Sequence, residues 1–191
     1  MKKITTFFKK YPTNLGMVIN EVHPDNEWVL NNGIPTRKWD GTSCAIIDGE
    51  IYKRYDAKID KKTGKYKRGI PKGAISCQEP DFITGHHPQW IKCDRSNPAD
   101  KYHFLAFDVF EDRNDGTYEL IGENVNGNRE SCEGYHLVLH GAFLLTSLDR
   151  PFTFDNIRSF LIENDIEGIV FHEEGGDRMC KIRKTDFGIK R

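Results

Sequence analysis

The sequence lacks any apolar run long enough for a transmembrane helix. A membrane-spanning helix needs roughly 18 or more consecutive apolar residues, whereas hydrophobic residues make up only 37% of the 191 positions here and are spread along the chain. The first dozen residues carry lysines but no apolar stretch, so we expect no signal peptide. We therefore expect a globular protein with no membrane partner.

Cysteines are few, and no C-x-x-C motif occurs. The five cysteines are widely separated, which is typical of free thiols in a reducing, cytoplasmic compartment. The alternative is a zinc site formed by Cys77, His86, His87 and Cys93, although their spacing matches no standard zinc pattern. We predict free thiols.

Three common catalytic and nucleotide-binding motifs are also absent. The sequence has no GxxxxGK[ST] phosphate loop, no GxGxxG fingerprint and no GxSxG nucleophile elbow. A nucleotide, if the protein binds one, must be held by another arrangement of side chains.

The charges are distributed unevenly, although the net charge is only −1. Residues 53–72 carry nine basic and two acidic side chains, and residues 178–191 carry six basic side chains and one acidic. Segments of this kind can give a near-neutral protein a basic face that binds nucleic acid. An ordinary solvated surface is the alternative interpretation.

The pattern of apolar residues predicts an α+β domain of antiparallel sheets with flanking helices, spanning residues 1–191 without a linker. TSCAIIDGEIYKRYD predicts a hairpin that turns at Asp48-Gly49. We expect FTFDNIRSFLIENDI to be a helix capped by Thr153 or Asp155. EGIVFHE and RMCKIRK predict short strands, and YHFLAFDVF predicts a central strand paired with TYELIGENV. Residues 1–35 predict short strands or a helix, and residues 57–73 a long basic loop.

The segment Lys38-Trp39-Asp40-Gly41 is the most informative local feature. A lysine is a nucleophile only when its amine is neutral, which nearby positive charge or burial favours. Arg37 and Arg54 are candidates for that charge. Asp40 can help to position the site, and Gly41 allows a ligand to approach the backbone closely. A surface lysine before an Asp-Gly turn fits the same four residues, so the interpretation depends on what else matches.

Further motifs follow in order along the chain. Lys38-x-Asp-Gly precedes Arg54, then YELIG with Glu119, EGIVF with Glu167, and KIRK with Lys181 and Arg183. This order resembles the covalent nucleotidyltransferase superfamily of DNA ligases, RNA ligases and mRNA-capping enzymes. KRYDAK, PKGAISCQEPDFITGHHPQW, YELIGENVNGN and LVLHGAF are similar to the RNA ligase 1 family of ATP-dependent 5′-to-3′ RNA ligases. The similarity covers residues 37–188.

The resemblance implies a nucleotidyltransferase (adenylation) domain that seals 5′-phosphate and 3′-hydroxyl RNA ends through a lysyl-AMP intermediate. It implies ATP and Mg²⁺ or Mn²⁺ as cofactors, and RNA repair as the setting. Lys38 would be the catalytic nucleophile. Nucleotide-binding roles would fall to Arg37, Asp40, Gly41, Arg54, Glu119, Glu167, Ile169, Lys181 and Arg183.

Individual roles also follow from the resemblance. Arg54 would touch the ribose or 5′-phosphate, and Glu119 the ribose, with Glu123 as a rival. Glu167 would be linked to the metal, and Ile169 would pack on the adenine. Lys181 and Arg183 alternate along a strand, so both can face one phosphate group.

Two features depart from the family pattern. Arg183 stands where many members of the superfamily carry a second lysine, and a guanidinium is not equivalent to an ammonium. We also expect no C-terminal OB-fold domain, so the resemblance does not say what assists the first step. The alternatives are an mRNA-capping guanylyltransferase, a DNA ligase, or a catalytically silent nucleic-acid-binding domain.

We expect residues 53–72 to contact the RNA backbone through phosphate binding. Tyr55, Tyr66 and Trp90 lie in or near this segment and are candidates for stacking on bases. A purely structural role is the alternative for each of the three.

Overall fold

The computed structural model describes residues 4–191, which contain twelve strands and three α-helices. The strands are β1 (Thr5–Thr6), β2 (Phe8–Tyr11), β3 (Asn14–Val22), β4 (Gly33–Lys38), β5 (Thr42–Ile47), β6 (Glu50–Lys58), β7 (Ile75–Ser76), β8 (His86–Lys92), β9 (Gly116–Gly122), β10 (Tyr135–Leu139), β11 (Gly168–Glu173) and β12 (Met179–Arg183). The helices are α1 (Val29–Asn32), α2 (Lys101–Val109) and α3 (Phe154–Glu163), with 3₁₀ turns at Pro24–Asn26, Pro98–Asp100 and Lys184–Phe187. None of the helices within residues 4–191 is long and apolar enough to cross a bilayer.

These elements confirm the predicted α+β class with mostly antiparallel sheets. They form two compact units. The central unit is Gly41–His140, and the terminal unit combines Ile4–Asp40 with Gly141–Arg191. Residues 1–3 of the predicted entry segment lie outside the described residues, and the remainder of that segment forms short strands and a helix, as expected.

The central unit is built on one antiparallel sheet with the strand order β10-β9-β5-β6-β8-β7. Successive side chains on a strand point to opposite faces. One face carries a hydrophobic core that also contains helix α2, with the buried side chains of Cys44, Ile46, Ile51, Ala106, Phe107, Tyr118 and Leu120. The opposite face therefore carries the alternate residues of the same strands.

The hairpin between β5 and β6 turns where the sequence predicted. Asp48 and Gly49 have φ angles of 51° and 73°, the left-handed conformations that a tight two-residue hairpin turn needs. The carboxylate of Asp115 accepts both backbone N–H groups, at 3.1 Å from Asp48 and 3.4 Å from Gly49.

The prediction of a central strand at YHFLAFDVF is wrong, because this segment forms helix α2. A turn at Pro98–Asp100 precedes the helix, and the Asn97 side chain caps that turn by accepting the Ala99 N–H. The buried residues of the helix are His103, Ala106 and Phe107. Their spacing of three and four positions is that of a helix, whereas a strand would bury every second residue. Strand β9 pairs with β5 and β10 instead.

The terminal unit contains a four-stranded sheet with the order β1-β12-β11-β4 and a separate hairpin of β2 and β3. The sheet is antiparallel except for the pairing of β1 with β12. Helix α3 begins where predicted, because Thr153 Oγ1 accepts the Asn156 N–H at 3.2 Å. Its predicted apolar face is buried in a core of Phe7, Phe8, Ile157, Phe160, Leu161, Ile169, Phe171 and Ile182.

Candidate functional site

Lys38 and Glu167 meet in the terminal unit. Lys38 is the last residue of β4 and pairs with Gly168, the first residue of β11, so Glu167 immediately precedes the point of pairing. Lys38 Nζ donates to a Glu167 carboxylate oxygen in an ion pair, and also to the Trp39 carbonyl at 3.3 Å. The side chains of Lys38 and Glu167 are 21% and 19% exposed. The predicted nucleophile and the predicted metal-linked carboxylate are therefore in direct, partly shielded contact.

Strand β12 adds two more cations to the same face of this sheet. Lys181 pairs with Val170 and Arg183 with Gly168, while Thr36 and Lys38 occupy the corresponding positions on β4. Because residues two apart on a strand share a face, Lys38, Lys181 and Arg183 lie on one side of the sheet. The predicted common orientation of Lys181 and Arg183 agrees with this register.

Lys181 has the most strongly perturbed basic side chain of this group. The pKa of Lys181 is lowered to about 8, first by burial and then by the positive charges of Lys38 and Arg183, while Glu167 and Asp186 oppose the shift. An ammonium with this pKa is largely charged at pH 7 and titrates just above that pH. Its charge therefore depends strongly on any anion that binds beside it.

Arg183 is held in place by a buried carboxylate. Its Nε and Nη2 donate to Asp186 at 3.2 and 3.0 Å. Burial alone would raise the pKa of Asp186, but the hydrogen bonds from Arg183 and Lys10 outweigh it and hold that pKa below its usual value. The pair uses two of the five guanidinium donors and fixes the direction of the others.

Arg37 and Ile169 lie on the opposite face, since they pair with each other across β4 and β11. Ile169 has no exposed surface and belongs to the hydrophobic core, so its side chain is not presented to an adenine ring. The Arg37 guanidinium lies 3.9 Å from the centroid of the Trp39 ring, and the Trp39 and Phe143 rings make a T-shaped contact. Arg37 and Ile169 therefore pack on the face of the sheet opposite Lys38.

Asp40 is almost buried at the end of the same segment. Its Oδ2 lies 3.5 Å from Arg191 Nη1, and the two side chains are only 11% and 7% exposed. This contact ties the Lys38-Trp39-Asp40 segment to the last residue of the terminal unit.

Glu119 has two hydrogen-bond partners in the central unit. Its Oε1 accepts the Gly41 N–H at 3.2 Å, and its Oε2 accepts from His140 Nε2 at 2.9 Å. A Cβ atom on Gly41 would lie 2.2 Å from the Leu120 carbonyl oxygen, so only glycine allows this close approach of backbones. Glu123, the rival of Glu119, lies in the turn after β9 and accepts the Gly134 N–H at 3.0 Å.

Arg54 shares a face of the central sheet with Glu119. Glu119 pairs with Ser43 on β5, and Arg54 pairs with Trp90 on β8, on the side of the sheet opposite helix α2. The Arg54 guanidinium lies 5.4 Å from the centroid of the Trp90 ring. Burial lowers the pKa of Arg54, and the electrostatic effects of Cys77 and Asp56 partly offset this decrease.

Two lysines of the basic segment at residues 53–72 form ion pairs with aspartates. Lys53 donates to Asp100 at 2.5 Å, and Lys58 donates to Asp56 at 2.5 Å. The remaining lysines and Arg68 are exposed on a loop: Lys61, Lys62, Lys65, Lys67, Arg68 and Lys72. The Asp60 carboxylate orders this loop by accepting the N–H groups of Lys62 and Thr63, at 3.0 and 2.9 Å.

The aromatic side chains near that loop differ in exposure. Trp90 is 5% exposed, whereas Tyr66 is 36% exposed. The Tyr66 hydroxyl contacts His87 Nδ1 at 2.6 Å, and the two rings are stacked. Of these two aromatic side chains, only Tyr66 is exposed enough to stack on a nucleic-acid base.

No protein-family model matches the chain, and no curated protein matches it. The functional interpretation therefore depends on the side chains described above and on the sequence motifs that carry them.

The five cysteines are free, as predicted. The four residues of the alternative zinc hypothesis do not come together: His87 contacts Tyr66 and Ser76, and His86 contacts Asp56. Within residues 4–191, the one group of possible metal ligands is Cys93, Asp100 and His103. Sequence reasoning missed this group because it treated residues 102–110 as a strand; Asp-x-x-His at the start of a helix was the available signal.

Proposed function

We propose that this protein is an ATP-dependent RNA ligase with the fold of the covalent nucleotidyltransferases, and that it attaches AMP to Lys38. The observation that carries the proposal is the contact between Lys38 and Glu167 on a sheet face that also holds Lys181 and Arg183. A lysine beside a carboxylate and two further cations suits covalent chemistry on a polyphosphate.

In the first reaction, Lys38 Nζ attacks the α-phosphorus of ATP, and the bond to pyrophosphate breaks as the nitrogen–phosphorus bond forms. AMP then passes from Lys38 to the 5′-phosphate of an RNA end. In the last reaction, a 3′-hydroxyl attacks that activated end and AMP leaves. All three are in-line displacements, for which positioning and charge stabilisation are the main contributions of a protein.

Each side chain has a distinct part in this scheme. The Glu167 carboxylate gives the departing proton of Lys38 an acceptor in direct contact with Nζ. Lys181 and Arg183 stabilise the charge that develops on the phosphates. In the central unit, we assign Arg54 and Glu119 to the nucleotide by their motif positions.

Glu167 also fits the divalent metal that the resemblance implies. Mg²⁺ is usually bound by one or two carboxylates together with substrate phosphates, and Glu167 is a carboxylate that remains 19% exposed beside Lys38. Such an ion supplies charge neutralisation at the phosphates.

The exposed basic loop supports an RNA substrate. Its lysines and Arg68 are not buried, and the loop is ordered by the Asp60 hydrogen bonds. Cations of this kind bind phosphates without reading sequence, with an affinity that falls as salt rises. We propose that this loop contacts the RNA backbone.

The first test is incubation with α-labelled ATP or, separately, α-labelled GTP, in the presence of Mg²⁺, followed by denaturing electrophoresis. We expect ATP alone to label the protein, and Lys38→Ala to abolish the label. Lys9→Ala is a matched control, because Lys9 is also a strand lysine of the terminal unit in an ion pair with a glutamate, Glu21 at 2.7 Å. It should label like the wild type.

The alternatives give different outcomes. Labelling by GTP would indicate a capping guanylyltransferase. Labelling by neither nucleotide, with an intact mass that shows no attached AMP, would indicate a catalytically silent nucleic-acid-binding domain. Persistent labelling of a folded Lys38→Ala variant would exclude Lys38 as the nucleophile.

A second test separates an RNA ligase from a DNA ligase. Labelled protein is offered RNA or DNA with a 5′-phosphate and a 3′-hydroxyl, and sealing is measured on a denaturing gel. We expect RNA to be sealed, and RNA with a 5′-hydroxyl to remain unsealed because it cannot accept AMP in the second reaction. Sealing of DNA alone would contradict the assignment.

A further inference from the structure

A cysteine, an aspartate and a histidine come together inside the central unit, and none of the three is assigned above to the nucleotide. Cys93 directly follows β8, Asp100 ends the turn before α2, and His103 lies in the first turn of α2. One potential ligand atom from each of the three lies within 4.8 Å of the other two. The residues are only 7%, 1% and 8% exposed, respectively.

His103 is not satisfied by its protein surroundings. Neither of its ring nitrogens has a hydrogen-bond partner among residues 4–191, although a buried polar group normally has at least one. His87 provides a direct comparison, since it is also 8% exposed but contacts Tyr66 and Ser76 at 2.6 and 2.8 Å. A buried imidazole without such partners loses the hydration it had in the unfolded chain and gains nothing in return.

We propose that Cys93, Asp100 and His103 form a binding site for Zn²⁺ or a chemically similar divalent transition metal. Sulfur, imidazole nitrogen and carboxylate oxygen are the ligand types that zinc takes in proteins. Mg²⁺, in contrast, prefers oxygen ligands alone, so this site differs in kind from the one assigned to Glu167. A metal bound here would join the end of β8 to the start of α2 and would stabilise the central unit.

Lys53 competes with the metal for Asp100. One Asp100 oxygen accepts from Lys53 Nζ at 2.5 Å, and the other accepts the Asp94 N–H at 3.0 Å. Each carboxylate oxygen has a second lone pair, so coordination remains possible, but the ammonium repels a dication. Removing this charge with Lys53→Met should therefore tighten metal binding, whereas removing a ligand should weaken it.

The experiment measures metal content directly. The reduced full-length protein is stripped with a chelator, titrated with Zn²⁺ in equilibrium dialysis, and analysed for bound zinc. We expect about one Zn²⁺ per chain, and binding more than about tenfold weaker in Cys93→Ser and in His103→Gln. Co²⁺ should give the intense near-ultraviolet band of a cobalt–thiolate bond in the wild type but not in Cys93→Ser.

Two matched controls come from the same unit. Cys44 is a fully buried thiol in the same hydrophobic core as Cys93, so Cys44→Ser repeats the loss of a buried sulfur without removing a ligand. His87→Gln removes an equally buried histidine outside the cluster. Both should bind Zn²⁺ like the wild type.

The proposal is overturned if the wild type binds no zinc under these conditions, or if folded His103→Gln binds it as tightly as the wild type. Circular dichroism establishes which variants fold. If Cys93→Ser does not fold, His103→Gln and the Co²⁺ spectrum of the wild type decide the question. Equal loss of binding in His87→Gln would also overturn it, because binding would then not depend on the cluster.

Discussion

Replacing Lys181 with methionine should stabilise the protein near neutral pH while impairing its proposed reaction. Lys181 is charged at pH 7, although burial and the neighbouring positive charges of Lys38 and Arg183 disfavour that charge. Methionine keeps most of the apolar stem of lysine and removes the ammonium. The variant therefore separates the energetic cost of this charge from the packing of strand β12.

The size of the effect follows from the pKa. In the folded protein the pKa of Lys181 falls from 10.5 to about 8, which corresponds to about 3 kcal/mol at 1.36 kcal/mol per pH unit. Partial access of water reduces this figure, so we expect a gain on the order of 1 to 3 kcal/mol at pH 7. For a chain of this size, each kcal/mol raises the melting temperature by roughly 2–4 °C.

The gain should depend on pH with a defined sign. Below the folded pKa of about 8, both folded and unfolded chains carry the Lys181 charge and the full cost is present. Between about 8 and 10.5 the folded protein loses the proton while the unfolded chain keeps it, so wild-type stability rises towards that of the variant. Above 10.5 the two proteins should be equally stable with respect to this group.

The assay is urea unfolding of the wild type and Lys181→Met at several pH values from 7 to 10.5, with the ATP-labelling reaction run in parallel. Lys190→Met serves as a control, because Lys190 is exposed in the same unit, and it should change neither property. A Lys181→Met protein that is no more stable than the wild type at pH 7, or whose gain is constant with pH, would refute the reasoning. Full ATP labelling of that variant would remove Lys181 from the phosphate contacts.

Two further predictions concern glycine and core positions. Gly41→Ala should lower the free energy of unfolding in urea by more than about 2 kcal/mol, because its Cβ would lie 2.2 Å from the Leu120 carbonyl oxygen of the backbone. The control Gly69→Ala should be nearly neutral, since no atom lies within 4 Å of its Cβ. Equal effects of the two substitutions would contradict the close approach at Gly41. Ile169→Ala should cost about 2–5 kcal/mol by leaving a cavity, with ATP labelling per folded molecule retained; a selective loss of labelling at wild-type stability would instead place Ile169 at the nucleotide.

Local signals were sufficient for some elements and insufficient for others. The Asp48-Gly49 turn and the Thr153 cap are local features whose chemistry fixes a hairpin and a helix start, and both predictions were confirmed. Helix α2 was missed because its aromatic-rich sequence also fits a buried strand. The turn at Pro98–Asp100, capped by Asn97, precedes this helix, and it carries no strong periodic signal of its own.

For the candidate site, strand alternation predicted the shared face of Lys181 and Arg183, but not the partners of either residue. The contact between Lys38 and Glu167 depends on the register of β4 against β11, over a sequence separation of 129 residues. The core position of Ile169 and the pairing of Arg183 with Asp186 also come from the packing of this unit. The group of Cys93, Asp100 and His103 forms only once α2 is helical.

The charges on this sheet face are unequally compensated, and the imbalance bears on the proposed function. Lys38 forms an ion pair with Glu167, and Arg183 forms one with Asp186. Lys181, in contrast, has no carboxylate within ion-pairing distance among residues 4–191. A polyphosphate beside Lys181 would supply the opposite charge and raise its depressed pKa. Burial and repulsion destabilise the charged Lys181 before a ligand binds, and the ligand would relieve that destabilisation. The same charge that lowers stability would thus contribute to anion binding, as expected where stability and function compete.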